Sequence, residues 1–185
     1  MKYSFNRLGI LVLVFSMVSC QKTEQTSEKP KVKYDIPKTH GKKETTYLLI
    51  SHADAAGEQI HKNTELSEKG FEQAAFWGDY FSDKEIDLFY TSTETFAFQT
   101  MIPIVHPYKG QIRNIDKQLS FNNTFWNNTY GQKSIIISSD QQNIDFVNDI
   151  LQYDKYKLKD IKDKTYLFKV RVNKDRQIKD TLNNF

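Results

Sequence analysis

The chain of 185 residues holds one cysteine and four histidines. A lone cysteine excludes an internal disulfide framework. Four scattered histidines beside it exclude a Cys/His zinc module. No sign of charge dominates: 26 Lys+Arg stand against 23 Asp+Glu, a formal net charge of +3. Without Lys2 and Arg7, which lie in a leader argued below, the excess falls to a single positive charge. That balance removes the case for nucleic-acid binding driven by bulk charge. Arginine is scarce, with Arg7, Arg113, Arg171 and Arg176 the full set. The longest apolar run, Leu8 to Val18, falls short of the roughly 20 residues a spanning helix needs. What the chain does have is 38% hydrophobic and 14% aromatic residues. These are too many for a disordered segment, and the length suits one domain with a real core.

Residues 1–19 have the layout of a secretory leader: Lys2 and Arg7, then an apolar stretch, then small Ser19 before Cys20. Met17-Val18-Ser19-Cys20 resembles the bacterial lipoprotein box, with Met17 where leucine is commonest. The resemblance implies cleavage before Cys20 and acylation of that cysteine, and several acyl chains anchor stably where one does not. It also implies a lipid-anchored protein of the bacterial cell envelope. Gln21 is not the aspartate tied to inner-membrane retention in some bacteria, so the outer membrane is the expected site. The alternative is a buried free cysteine in an N-terminal helix. Residues 20–44 are polar, lysine-rich and broken by Pro30 and Pro37, and read as a flexible tether. The folded domain is expected over 45–185.

Three short apolar runs read as strands: Thr46–Ile50, Asp87–Thr91 and Ser134–Ser138. Continuous apolar runs suit strands covered on both faces, as in a parallel sheet. Between the first two lies a helical stretch with Ser67 as N-cap and Phe71, Ala74, Ala75 and Gly78 at helical spacing. Ser92 or Thr93 could cap a second helix limited by Pro103. Ile144, Val147, Ile150 and Leu151 make a third apolar stripe. Gly110–Asn114 reads as an edge strand. Tyr166–Val172 alternates, with Lys169 and Arg171 opposite the apolar face, as in a half-exposed edge strand. The fold expected is α/β: a mostly parallel central sheet flanked by helices, with an antiparallel C-terminal edge strand. Phe121, Phe125, Trp126 and Tyr130 among asparagines read as a loop or ragged helix, or as a sugar- or peptide-contacting surface.

In open α/β sheets, ligands sit at the carboxyl ends of strands. Those ends are Ser51-His52-Ala53-Asp54, Thr91-Ser92-Thr93 and Ser138-Ser139-Asp140. With Leu66-Ser67-Glu68-Lys69-Gly70 and the Gln99-Thr100 pair, they resemble in order the histidine phosphatase superfamily, in its phosphoglycerate-mutase-like branch. The resemblance spans about Thr46 to Leu151. It implies that His52 holds the position of the phosphorylated nucleophile. It places Ser51 and Phe96 where the family has phosphate-binding arginines. It places Ser139, or Asp140 with a one-residue shift, where a second histidine completes the pocket. The acid carboxylate would be Glu94 or Asp116.

Catalysis of phosphoryl transfer is largely positioning and charge stabilisation over three oxygens. Serine and phenylalanine cannot replace arginine forks. The expectation is therefore a degenerate site around His52, lined by Ser51, Asp54, Ser92, Glu94, Phe96, Ser139 and Asp140, with a binding or structural role. With no cation expected nearby, it should prefer neutral or weakly cationic ligands. No cofactor, metal or nucleic acid is expected; the partners are the membrane, through Cys20, and an unidentified small ligand or protein. A His52–Asp54–Asp140 metal set is too sparse. Ser139 lacks the Gly-x-Ser-x-Gly elbow of serine hydrolases. Two alternatives stay open: a divergent phosphomonoesterase using His52 with a rebuilt anion site, and an unrelated α/β ligand-binding lipoprotein.

Overall fold

A computed structural model describes residues 44–57, 59–115, 123–173 and 177–185. The leader, Cys20, the tether, Asp116, Phe121, Asn122 and Arg176 lie outside the described residues. The elements run β1 (Thr45–Ile50), α1 (Glu68–Phe81), β2 (Leu88–Thr91), α2 (Thr95–Val105), β3 (Ile112–Asn114), α3 (Asn123–Thr129), β4 (Lys133–Ile137), α4 (Asp140–Leu151), α5 (Leu158–Ile161), β5 (Tyr166–Val172) and β6 (Ile178–Asn184). A 3-10 turn, His106–Tyr108, follows α2. The six strands form one sheet in the order β3-β2-β4-β1-β5-β6. β4 lies parallel between β1 and β2, and β3 adds parallel to β2. β5 pairs antiparallel with β1, and β6 antiparallel with β5.

Every residue of β1 is buried, as are all four of β2. Alternate side chains enter opposite layers, which is why these strands read as continuous apolar runs rather than alternating ones. Leu48, Ile50, Phe89, Ile135 and Ile137 pack with Trp77, Phe81, Met101 and Ile104 beneath α1 and α2. Tyr47, Leu49, Tyr90 and Ile136 pack with Trp126, Ile144, Val147 and Ile150 beneath α3 and α4. Ser67 caps α1 by accepting from the Gly70 amide at 3.0 Å. α1 and α2 lie close together at Gly78, where a Cβ would stand 2.8 Å from the Cβ of Pro103.

Three local expectations shift. α2 begins at Thr95, with Glu94 rather than Ser92 or Thr93 at its N-cap, and runs past Pro103 to Val105. Strand β5 is antiparallel as expected, but it is not the edge: β6 covers it over its whole length. β6 has Ile178 and Leu182 packed against the core and its alternate residues exposed. With polar or charged residues between and beside Ile178 and Leu182, the segment carries only a weak strand pattern. The 123–129 segment is a regular seven-residue helix that buries Trp126. Among the described residues no helix is long and apolar enough to cross a membrane.

Candidate functional site

The parallel strands β1, β2 and β4 end side by side, so their following loops meet. His52, directly after β1, is half-buried. Its Nδ1 lies 2.9 Å from the carbonyl oxygen of Ala53. A carbonyl only accepts, so Nδ1 is the donor, which in the neutral tautomer leaves the ring's lone pair on Nε2. That is the tautomer a ring nucleophile needs. The ring of Phe96, from the first turn of α2, lies against it with centroids 4.6 Å apart. Phe96 is itself buried. Ser51 is also buried, and its hydroxyl accepts from the Tyr166 amide of β5 at 3.4 Å.

The strand ends open into two hollows. One, of about 300 Å³, is lined by Ser51, His52, Asp54, Lys69, Gln73, Asp140, Asp163, Lys164 and Thr165. The other, of about 560 Å³, is lined by Ile60, His61, Lys62, Ser92, Thr93, Glu94, Phe96, Ile115, Ser138 and Gln142. The structure thus divides the sequence-predicted set. Ser51, His52, Asp54 and Asp140 line the first hollow; Ser92, Glu94 and Phe96 line the second. Ser139 lines neither; it is exposed and caps α4, accepting from the Gln142 amide.

The motif residues that match the resemblance best are the ones that hold the frame. Gln99 Oε1 accepts from the Leu66 amide at 2.8 Å. Thr100 Oγ1 accepts from the Ala53 amide at 3.0 Å and donates to the Phe96 carbonyl at 2.7 Å. Asp54 accepts from the Ser67 hydroxyl at 2.7 Å, its amide donates to Gln73 Oε1 at 2.7 Å, and its carbonyl accepts from the Ser67 amide at 2.9 Å. Gly70 lets that backbone approach, since a Cβ there would lie 2.0 Å from the Asp54 carbonyl oxygen. These bonds fix the loop carrying His52 to both α1 and α2.

Behind the site lies a buried polar network. The Ser138 hydroxyl donates to Asn143 Oδ1 at 2.6 Å. Asn143 Nδ2 donates to the Ile50 carbonyl at 3.1 Å and to Tyr166 Oη at 2.8 Å. Tyr166 in turn donates to Asp140 at 2.8 Å. Burial, helped by the Asp140 charge, pushes the Tyr166 phenol well above its ordinary range.

The expectation of a hollow without cations is corrected here. Lys69, in the first turn of α1, and Lys164, just before β5, both line the His52 hollow. Lys164 already donates to the Asp160 carbonyl at 2.9 Å. Arg113 lies over the Tyr90 ring, 5.9 Å from its centroid, and lines neither hollow. No sequence signal marked these lysines, because α1 and the α5–β5 turn meet only in the fold. Asn143 and Tyr166 were equally silent, as a polar residue on an apolar stripe and an inward strand residue. Among the described residues, no three or more His, Cys, Asp or Glu side chains group to hold a metal ion.

The sequence profile of the histidine phosphatase superfamily, branch 1, matches residues 40–139. No curated protein sequence matches. Solved structures share the fold at low identity. A provisionally named phosphohistidine phosphatase SixA from Agrobacterium tumefaciens is 20% identical, with a TM-score of 0.53 over 68% of this chain and 90% of its own. A protein histidine phosphatase SixA complexed with tungstate is 13% identical, with a TM-score of 0.55 over 75% of this chain and 94% of its own. A phosphoserine phosphatase from Entamoeba histolytica is 12% identical, with a TM-score of 0.60 over 76% of this chain and 98% of its own. In this fold β4 lies between β1 and β2, which brings the late-strand segment beside His52.

Proposed function

The chain belongs to the histidine phosphatase superfamily, and on that premise we propose that it is a member that binds a ligand without hydrolysing phosphate esters, held to the bacterial cell envelope by lipid on Cys20. The observation that carries the reading is the Phe96 ring against His52, where the family resemblance places an arginine. Ser51, at the other arginine position, spends its hydroxyl on the Tyr166 amide. A phosphoryl group over His52 Nε2 would therefore meet no guanidinium among the described residues lining the hollow. Charge-assisted hydrogen bonds are worth about 1.5–3 kcal/mol each. Losing two forks of two bonds removes about four powers of ten in rate or more. Asp54, Asp140 and Asp163 in the same hollow add repulsion towards a dianion.

Lys69 and Lys164 favour a second reading, a divergent phosphomonoesterase with an anion site rebuilt from lysines. It is the weaker one. Three carboxylates face two ammonium groups there, and one of those is already bonded.

The full chain, purified in detergent, should turn over p-nitrophenyl phosphate no faster than its His52→Ala variant. Robust turnover abolished by His52→Ala would establish the second reading instead. Mass spectrometry of the same preparation should find residue 20 as the acylated N-terminus. Cys20→Ala should release the protein from membranes. An unmodified N-terminus upstream of residue 20 would overturn the anchor.

A further inference from the structure

The larger hollow is built on a loop that α2 holds in place. The loop before α1 is pinned to α2 in two places: Leu66 on Gln99, and the Lys62 carbonyl on the Thr95 amide at 2.8 Å. A turn closed by the Thr64 hydroxyl on the His61 amide at 2.7 Å holds the intervening residues. Lys62 is thereby bonded through its backbone to the residue next after Glu94. The two side chains line the same cavity, yet they form no ion pair with each other or with any other described residue. Glu94 sits at the N-cap of α2 without using its carboxylate as the cap. An acid and a base are thus presented to one cavity, both unspent.

Part of the wall is apolar. Phe96 and Ile115 are buried, whereas Ile60 is 56% exposed and offers surface for a ligand to cover. Ser92, Thr93 and Gln142 add uncharged polar groups. The volume of about 560 Å³ lies within the range of small-molecule sites, and exceeds what a single amino acid fills. An exposed Lys–Glu pair gains little against water, so leaving these two apart costs the fold little. A ligand carrying both charges would instead form two charge-assisted hydrogen bonds inside a partly apolar cavity. A phosphate ester fits badly, since Glu94 opposes it and Lys62 is the single lysine or arginine of the lining.

We propose that this cavity binds a small zwitterion with an apolar side group, of dipeptide size, its ammonium on Glu94 and its carboxylate on Lys62. This rests on reading the site as a binding pocket, and it names the ligand class. Phe96 is then the floor of a new subsite as well as the residue that blocks the old one.

The test is calorimetric titration of the full chain in detergent with alanyl-phenylalanine, its N-acetyl form and its C-terminal amide. The free dipeptide should bind at least tenfold more tightly than either blocked form. Glu94→Gln should weaken the free dipeptide and the amide at least tenfold and leave the N-acetyl form unchanged. Lys62→Gln should weaken the free dipeptide and the N-acetyl form and leave the amide unchanged. Neither side chain hydrogen-bonds within the described structure, so both variants should fold. Absence of dipeptide binding at about 10 mM, or affinity unmoved by both substitutions, would overturn the proposal. Turnover of p-nitrophenyl phosphate on the same preparation separates the two failures. Lost binding with no turnover removes the zwitterion and leaves the non-catalytic reading standing.

Discussion

Asn143→Ala should lower the unfolding free energy by about 3 kcal/mol, measured by urea denaturation. Asn143 is fully buried and serves three partners at once: it accepts from the Ser138 hydroxyl and donates to the Ile50 carbonyl and to Tyr166. Those partners lie on β1, on β5 and just past the end of β4, so one side chain joins α4 to the ends of three strands behind the site. Alanine leaves two groups buried without their amide partner, and each orphan costs about 1–3 kcal/mol. Tyr166 keeps Asp140, which limits the third loss. Ser138→Ala, which removes one bond, should cost about 1 kcal/mol. Equal effects of the two substitutions would show that the network is not organised around Asn143.

The same region sets the alkaline limit. Burial raises the phenols of Tyr47 and Tyr166 above their ordinary value near 10. Both are neutral in the folded protein at pH values where the unfolded chain would release their protons. Their contribution to stability is complete below pH of about 10 and is lost as pH rises from there towards the folded values. Tyr166→Phe should make stability fall less steeply with pH above about pH 10, whatever its loss of hydrogen bonds costs at neutral pH. A pH dependence unmoved by both Tyr166→Phe and Tyr47→Phe would assign alkaline unfolding to other groups.

The parts of this protein that can be read from its sequence are those set by local pattern. β1, β2 and β4 are continuous apolar runs because both faces of each strand are covered. α1 announces itself by Ser67 and by residues spaced to bury Ala74, Trp77 and Gly78. β6 was hidden because only Ile178 and Leu182 mark its inner face, among residues that look like solvated surface. Charges on an edge strand are what discourages pairing with other chains, so the same feature protects it and disguises it. The site was legible as a list of strand ends and illegible as a shape. Nothing in residues 92–96 says that Phe96 would lean on His52, or that Ser139 would turn outward as a cap. Lys69 and Lys164 lie on segments far apart in the chain, one in α1 and one just before β5. Their meeting depends on β5 returning beside β1, a long-range pairing with no local signature.

Ser51→Arg, Phe96→Arg and Ser139→His together should raise affinity for tungstate at least 100-fold over the unmodified protein, read by calorimetry. Two new charge-assisted hydrogen bonds at the low end of about 1.5–3 kcal/mol each already supply that factor. The three changes have unequal structural costs. Phe96→Arg replaces a ring that lies on His52, so its guanidinium starts beside the imidazole. Ser139→His forfeits the cap of α4, a loss of about 1 kcal/mol. Ser51→Arg is the hardest, because the hydroxyl is buried and bonded to Tyr166, and the longer chain must leave that niche for the hollow. Phe96→Arg alone should therefore give the largest single gain, and Ser51→Arg alone the largest loss of stability. Lys69 and Lys164 stay in place to help, while Asp140 stays to oppose. Near-UV circular dichroism establishes that the triple variant is folded. A folded triple variant that still ignores tungstate, or an unmodified protein that already binds it tightly, would show that positions 51, 96 and 139 are not where an oxyanion is held.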